Sequence, residues 1–207
     1  MLEFLTGSGL AAAAGMNAYI PMLVVGLANR FFPDALALPE GWAWISNGWV
    51  LGILAVLLVV EVVADKIPAV DSVNDVLQTI VRPTAGGLVF GSSSTASTVA
   101  VTDPAAFFAT NQWVPIVVGA VIALTVHVGK TAMRPAANAA TVGAAAPVIS
   151  TVEDVGAIAM SLLAIVAPVL VLLGLALLGL LGWSLWRTAR KRRNADLRPA
   201  TDRLQTP

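Results

Sequence analysis

Long apolar runs separated by short polar clusters set the pattern of this chain. Segment 8–30 is apolar but made of small residues, Ser8-Gly-Leu-Ala-Ala-Ala-Ala-Gly15 and then Ile20-Pro21-Met-Leu-Val-Val. It is long enough for a bilayer crossing, which takes about 20 residues. Its alanines and glycines allow neighbouring helices to approach closely, and Pro21 predicts a kink. Residues 31–47 carry Pro33, Pro39, Gly41, Trp42 and Trp44, which suit a loop in the headgroup layer. Segment 48–64 is a second apolar helix that runs into Glu61, Asp65 and Lys66 before Ile67-Pro68 ends it.

From Asp71 to Val81 the apolar positions Val73, Val76, Leu77 and Ile80 recur at helical spacing, and Asp71 or Ser72 suits the N-cap. Arg82-Pro83 is expected to interrupt this short amphipathic helix. Segment 84–101 is apolar except for six hydroxyl residues within the seven positions 92–98, among them Ser93, Ser94 and Ser97. Segment 113–129 is apolar again and leads into His127, Lys130 and Arg134. Segment 134–150 is short and small-residue-rich. Segment 153–187 is too long for one simple pass at about 1.5 Å per residue, and Pro168 divides it. The expected architecture is an all-α polytopic membrane protein of about six transmembrane or partly re-entrant helices. Residues 1–187 form its helical domain, and 188–207 form a basic, disordered cytoplasmic tail.

Composition agrees with that pattern. The 207 residues are 57% hydrophobic and 12% charged, with a mean hydropathy of +0.84. Soluble domains carry about 25% charged residues. A soluble enzyme, a disordered chain and a nucleic-acid binder are therefore excluded by the sequence reading. With no cysteine, the chain has neither a disulfide nor a thiolate ligand. Its start, Met1-Leu-Glu-Phe-Leu-Thr-Gly, lacks the basic n-region of a cleaved signal peptide.

The net charge is zero, yet seven of the 12 basic residues follow Leu185, from Arg187 to Arg203. A basic cluster after an apolar span favours the cytoplasmic side. Six crossings then put both termini in the cytoplasm, together with Lys66, Arg82, Lys130 and Arg134, leaving only Arg30 outside. Treating 134–166 as a re-entrant hairpin reverses those four and ranks second. An internal repeat is also suggested: Asn47-Gly-Trp49-Val50 recurs as Asn111-Gln-Trp113-Val114, Lys66 matches Lys130, and Arg82-Pro83 matches Arg134-Pro135.

The chemistry-bearing residues fall in three groups. Glu61, Asp65, Asp71 and Asp75 place four carboxylates within 15 residues, in two i, i+4 pairs. A carboxylate inside hydrocarbon is costly and normally faces the protein interior. Its bland reading is punctuation of a helix end at the membrane surface. Such a set could hold Mg²⁺ or Ca²⁺, which leaves metal binding open. The second group is Thr125, His127, Lys130 and Arg134, where a lone histidine is more often a packed residue than a proton carrier. The third is the hydroxyl run, which either packs helices closely or lines a wet path. No nucleophile motif or phosphate loop supports an enzyme, and no cofactor is expected.

Gly9-Leu-Ala-Ala-Ala-Ala-Gly-x2-Ala-Tyr19-x-Pro21, Glu61-x3-Asp65-Lys66-Ile-Pro68-x2-Asp71-x3-Asp75 and Arg82-Pro83-x-Ala85-Gly86 resemble the bacterial membrane family called domain of unknown function 4126, over roughly residues 5–180. The resemblance implies a small polytopic protein of the inner membrane and carries no established activity.

Three function classes follow. The leading one is a small transporter or channel whose path is lined by Glu61–Asp75, the 92–98 run and His127–Arg134. The others are a carrier or enzyme for a lipid phosphate, bound by Lys66, Arg82, Lys130 and Arg134, and an accessory subunit of a membrane complex. Membrane lipids are expected partners, a small ion or lipid phosphate the expected ligand, and a homo-oligomer is left open. Glu61, the deepest carboxylate, is expected to face the bundle interior and to contact 127–134 or the hydroxyl run.

Overall fold

The computed structural model describes residues 1–94, 111–141 and 145–196. Every α-helix and 3-10 turn in them belongs to one all-helical bundle: α1 (Leu2–Met16), α2 (Tyr19–Phe31), α3 (Gly48–Ala64), α4 (Pro68–Ser93), α5 (Trp113–Thr141), α6 (Ala145–Val166) and α7 (Val171–Asp196), with 3-10 turns at Glu40–Ser46 and Pro168–Leu170. No strand occurs among the described residues.

The central helix is α1. Every residue from Thr6 to Met16 is buried, and Ala11 to Ala14 have no exposed surface at all. A helix of small residues can be enclosed on all sides because its neighbours approach its backbone. A Cβ on Gly9 would lie 2.8 Å from both Ala164 of α6 and Val171 of α7. One on Gly15 would lie 2.5 Å from the Ala123 carbonyl oxygen of α5.

The first apolar stretch breaks at Asn17, which is extended, rather than at Pro21. Asn17 Oδ1 accepts hydrogen bonds from the Tyr19 and Ile20 amides at 3.1 and 3.2 Å, satisfying N–H groups at the start of α2. Pro21 then sits in the first turn of α2, where its missing N–H costs nothing. Segment 8–30 is thus two helices meeting at a break, not one kinked helix.

Other boundaries also move. Arg82-Pro83 does not interrupt a helix: α4 runs through Pro83 to Ser93. Likewise α5 continues across Arg134-Pro135 to Thr141, so 134–150 is not a separate helix, and α6 spans 145–166. Pro168 does divide the last apolar stretch. Helix α7 carries on past residue 187 to Asp196. The proposed repeat keeps its tryptophan-led helix starts, with Asn47 capping α3 through the Trp49 amide and Asn111 at φ 56 before α5. After that the two units diverge, because Lys66 falls in a break and Lys130 lies inside α5.

Two helical segments, Trp113–Ala132 and Ala146–Val166, are long and apolar enough to cross a membrane on their own. A third candidate is the Glu40–Ser46 turn with α3, bent by 55°. Helix α4 adds independent evidence from its faces. Val73, Val76, Leu77 and Ile80, the regular apolar positions, are between 62% and 74% exposed, while Gln78 and Arg82 are buried. In water this arrangement is upside down. It fits an apolar surrounding, where the greasy face meets lipid and the polar face meets protein. Together these helices describe a membrane-embedded protein.

Because the chain has no cysteine, one probe tests this cleanly. Ile80→Cys is expected to react with a lipid-soluble maleimide and resist a membrane-impermeant one. Equal reaction with both would place α4 in water.

Candidate functional site: a buried ion network at a helix break

Helices α1, α3, α4, α5 and α6 each bring polar groups to one place inside the bundle. The i, i+4 spacing puts Glu61 and Asp65 on the inner side at the end of α3, and both are 2% exposed. Arg82 of α4 lies between them with no exposed surface. Its Nη2 donates to Glu61 Oε1 at 2.8 Å and lies 3.6 Å from Asp65 Oδ2. Lys130 of α5 continues the chain of charges, with Nζ 3.4 Å from Asp65 Oδ2 and 2.8 Å from Glu153 Oε2 of α6. Asn74 donates to the remaining Asp65 oxygen at 2.7 Å. The network reaches its rim at Lys66 and Asp154, 3.8 Å apart, where Lys66 is more than a third exposed.

The same two cations close the broken end of α1. The last carbonyls of a helix lack partners and carry partial negative charge. Arg82 Nη1 donates to Gly15 O and Lys130 Nζ to Met16 O, both at 3.3 Å. Asn17 ties the other side of the break to the network, its Nδ2 donating to Asp154 Oδ1 at 2.9 Å. The helix break and the ion network are therefore one structure.

His127 extends it along α5. Arginine has no acceptor, so the 3.2 Å contact from Arg82 Nη1 makes His127 Nδ1 the lone-pair nitrogen. Nε2–H is then left to donate to Thr79 Oγ1 at 3.1 Å, and the Thr79 hydroxyl donates to Asp75 O at 2.9 Å. This pattern assigns a neutral imidazole, 1% exposed, bridging Arg82 and Thr79 of α4 from α5.

Of the expected site residues, Glu61, Asp65, Lys66, Asp75, Arg82, His127 and Lys130 converge here. Glu61 does face the interior, but its direct partner is Arg82, not the 127–134 segment or the hydroxyl run. Arg82 takes that place because it reaches His127 and Glu61 with the two ends of one guanidinium. The described start of the hydroxyl run, Ser92–Ser94, is elsewhere. Ser92 and Ser93 donate to Val89 O and Ser94 to Gly91 O, their own helix. Ten residues beyond Arg82, Ser92 is about 15 Å along the axis. Ser97 lies outside the described residues, as do the side chains of Asp71 and Arg134. Thr125 is exposed and bonds back to Val121 O. No cluster of three or more acidic or histidine ligands fit for a metal ion occurs among the described residues.

Sequence reasoning missed Asn17, Asn74, Gln78, Thr79, Glu153 and Asp154. The Glu153-Asp154 pair had a signal: two adjacent acids inside the apolar 146–166 segment. Asn17 had one too, a side-chain amide inside an Ala/Gly helix four residues before a proline.

Asn17→Ala is expected to lower stability by about 1–2 kcal/mol through loss of the α2 cap. Thermal unfolding in detergent measures this, and a midpoint equal to wild type would mean that the break is held without Asn17.

No curated protein and no solved structure matches the chain. A family model, Domain of unknown function (DUF4126), matches residues 4–188, which include every residue of the network. The chain belongs to that family.

Proposed function

We propose that this protein is a small membrane transporter that moves an ion through the centre of its bundle. The observation that carries this reading is the meeting of a buried ion network with the carbonyl end of a broken helix, where Arg82 and Lys130 hold the Gly15 and Met16 carbonyls. Broken helices whose terminal carbonyls face the protein interior serve as ion sites in membrane carriers. A purely structural role explains this arrangement less well. Buried ion pairs are often matched or bettered by well-packed apolar residues, so a network of this size is poor structural glue. It also grades outward, from the buried Glu61 and Arg82 to the rim pair Lys66–Asp154, which gives an ion a succession of partners.

The lipid-phosphate reading is less well supported. Arg82, Lys130 and Lys66 are each already paired with a carboxylate, so a phosphate would have to displace Glu61, Asp65, Glu153 or Asp154. We place the protein in the cytoplasmic membrane with both termini in the cytoplasm, on the strength of the basic residues from Arg187 onward. A reporter joined after Pro207 that is active only outside would reverse this orientation.

Reconstitution into liposomes tests the function. Vesicles loaded with a pH-sensitive dye are given gradients of H⁺, Na⁺, K⁺, chloride or phosphate in turn. The protein is expected to dissipate at least one gradient faster than protein-free vesicles. Rates equal to the protein-free leak for all five would overturn the transport reading.

A further inference from the structure

We infer that the Glu61–Arg82 ion pair holds a water molecule, which accepts from Arg82 Nε–H and donates to Glu61 Oε2. The inference goes beyond the transport reading and does not depend on it. A guanidinium presents five N–H donors in a fixed fork, and a carboxylate frequently meets that fork with both oxygens. Here the pair is closed on one side only. Arg82 Nη2 donates to Glu61 Oε1 at 2.8 Å, while Arg82 Nε and Glu61 Oε2 are both buried without a hydrogen-bond partner among the described residues. The rest of the guanidinium explains why the fork stays open. Nη1 is engaged by Gly15 O at 3.3 Å and His127 Nδ1 at 3.2 Å, and Nη2 also stands 3.6 Å from Asp65 Oδ2. These contacts hold the plane from α1, α5 and the end of α3. Turning Nε onto Oε2 would loosen them.

The two unpartnered atoms are neighbours by covalent structure. Nε shares Cζ with Nη2, and Oε2 shares Cδ with Oε1, so only the 2.8 Å hydrogen bond and two bond angles separate them. One bridging molecule spans a gap of that kind with two hydrogen bonds of about 2.9 Å each. The chemistry of the two atoms selects the occupant. Nε–H repels a cation and the carboxylate oxygen repels an anion. The place suits a small neutral group that accepts on one side and donates on the other. Water is the smallest such group, and buried waters commonly serve polar atoms left over by the protein. A donor and a charged acceptor both left bare in the interior are the costly alternative. The water changes no charge: Glu61 stays a carboxylate and Arg82 stays its counter-ion. The pair is then direct through Nη2 and solvated through Nε, and its buried side, among the deepest polar groups of the bundle, is wet.

NMR of the full chain in lipid nanodiscs, with isotope-labelled arginine and glutamate, reads the site directly. Each arginine gives one Nε–H signal, and couplings along the side chain assign that of Arg82 without any variant. The expected result is a dipolar cross-peak between Arg82 Hε and the water signal, opposite in sign to chemical exchange in the rotating frame. The Tyr19 hydroxyl lies close enough to interact with both Glu61 and Arg82, so it could relay magnetisation from bulk water. Tyr19→Phe removes that relay, and the cross-peak should persist at undiminished intensity. If this variant does not fold, the wild-type build-up curve replaces it, because a direct contact rises without the lag of a relay. A coupling across a hydrogen bond from Arg82 Nε to the Glu61 carboxyl carbon would show a closed fork and overturn the proposal. So would an Arg82 Hε without a dipolar water cross-peak, or with one that vanishes in Tyr19→Phe or builds up with a lag. None of these outcomes involves flux, so a failure here leaves the transport reading standing, and a failure of transport leaves the water site standing.

Discussion

Arg82→Met is expected to destabilise the protein by about 3–5 kcal/mol, the usual cost of stripping one partner from a buried ion pair. The size of the effect follows from what one guanidinium does. Arg82 holds Glu61 Oε1, stands against Asp65, donates to His127 Nδ1 and closes the Gly15 carbonyl of α1. Removing it leaves Glu61 without its hydrogen-bonded cation, an imidazole nitrogen without its donor and the α1 end with only one of its two cations. Arg82→Lys should recover only part of the loss, because an ammonium lacks the fork that reaches α1, α3 and α5 at once. Adding Glu61→Leu to Arg82→Met should restore stability, since it removes the stranded charge. Thermal unfolding in detergent measures all four proteins. A fully stable Arg82→Met would show that the network carries no structural load.

The second large effect concerns where α4 crosses α5. Gly86 and Gly119 face each other at backbone distance. A Cβ on Gly119 would collide with the Gly86 carbonyl oxygen and Phe90 Cβ, and one on Gly86 would lie 2.8 Å from the Gly119 carbonyl oxygen. The obstacle is backbone, which cannot rotate away as a side chain can. Gly119→Ala is therefore expected to cost about 1–3 kcal/mol by overpacking, and Gly119→Leu more. The same crossing sets the separation between Arg82 on α4 and His127 and Lys130 on α5, so the network should loosen with it. Gly129→Ala and Gly52→Ala are the controls. Nothing lies within 4 Å of a Cβ at either position, and both sit in helices, so each should be neutral or gain about 0.5–1 kcal/mol. Equal midpoints for Gly119→Ala and Gly129→Ala would refute the close crossing.

Much of the site was legible because charge in an apolar span is a strong signal. Glu61 and Asp65 stood at i, i+4 at the end of a greasy helix, and Lys130 and His127 at the end of another. The polar side of α4 was legible as well, although the orientation of its apolar stripe needed the structure, because periodicity alone does not say whether that stripe meets a core or lipid. The partner of Glu61 was not legible. Helix pairing sets it, and Arg82 comes 21 residues later in sequence on a helix whose proline argued for a break. Proline predicted a kink at Pro21 and an interruption at Arg82-Pro83, yet the chain breaks at Asn17 and α4 continues through Pro83. A side chain that caps the next helix stops the previous one more effectively than a residue that merely lacks a donor. Ser92, Ser93 and Ser94 satisfy themselves by bonding to carbonyls of their own helix, which is the close-packing alternative for the start of the hydroxyl run.

The account stands or falls on whether the ion network moves charge or only holds helices together, and Glu61→Gln separates the two. The substitution keeps the shape, leaves an oxygen for Arg82 and removes the negative charge. Flux of whichever ion the wild-type protein moves into dye-loaded proteoliposomes should fall to the protein-free level in this variant, with its thermal midpoint close to wild type. Undiminished flux from a well-folded Glu61→Gln protein would contradict the account.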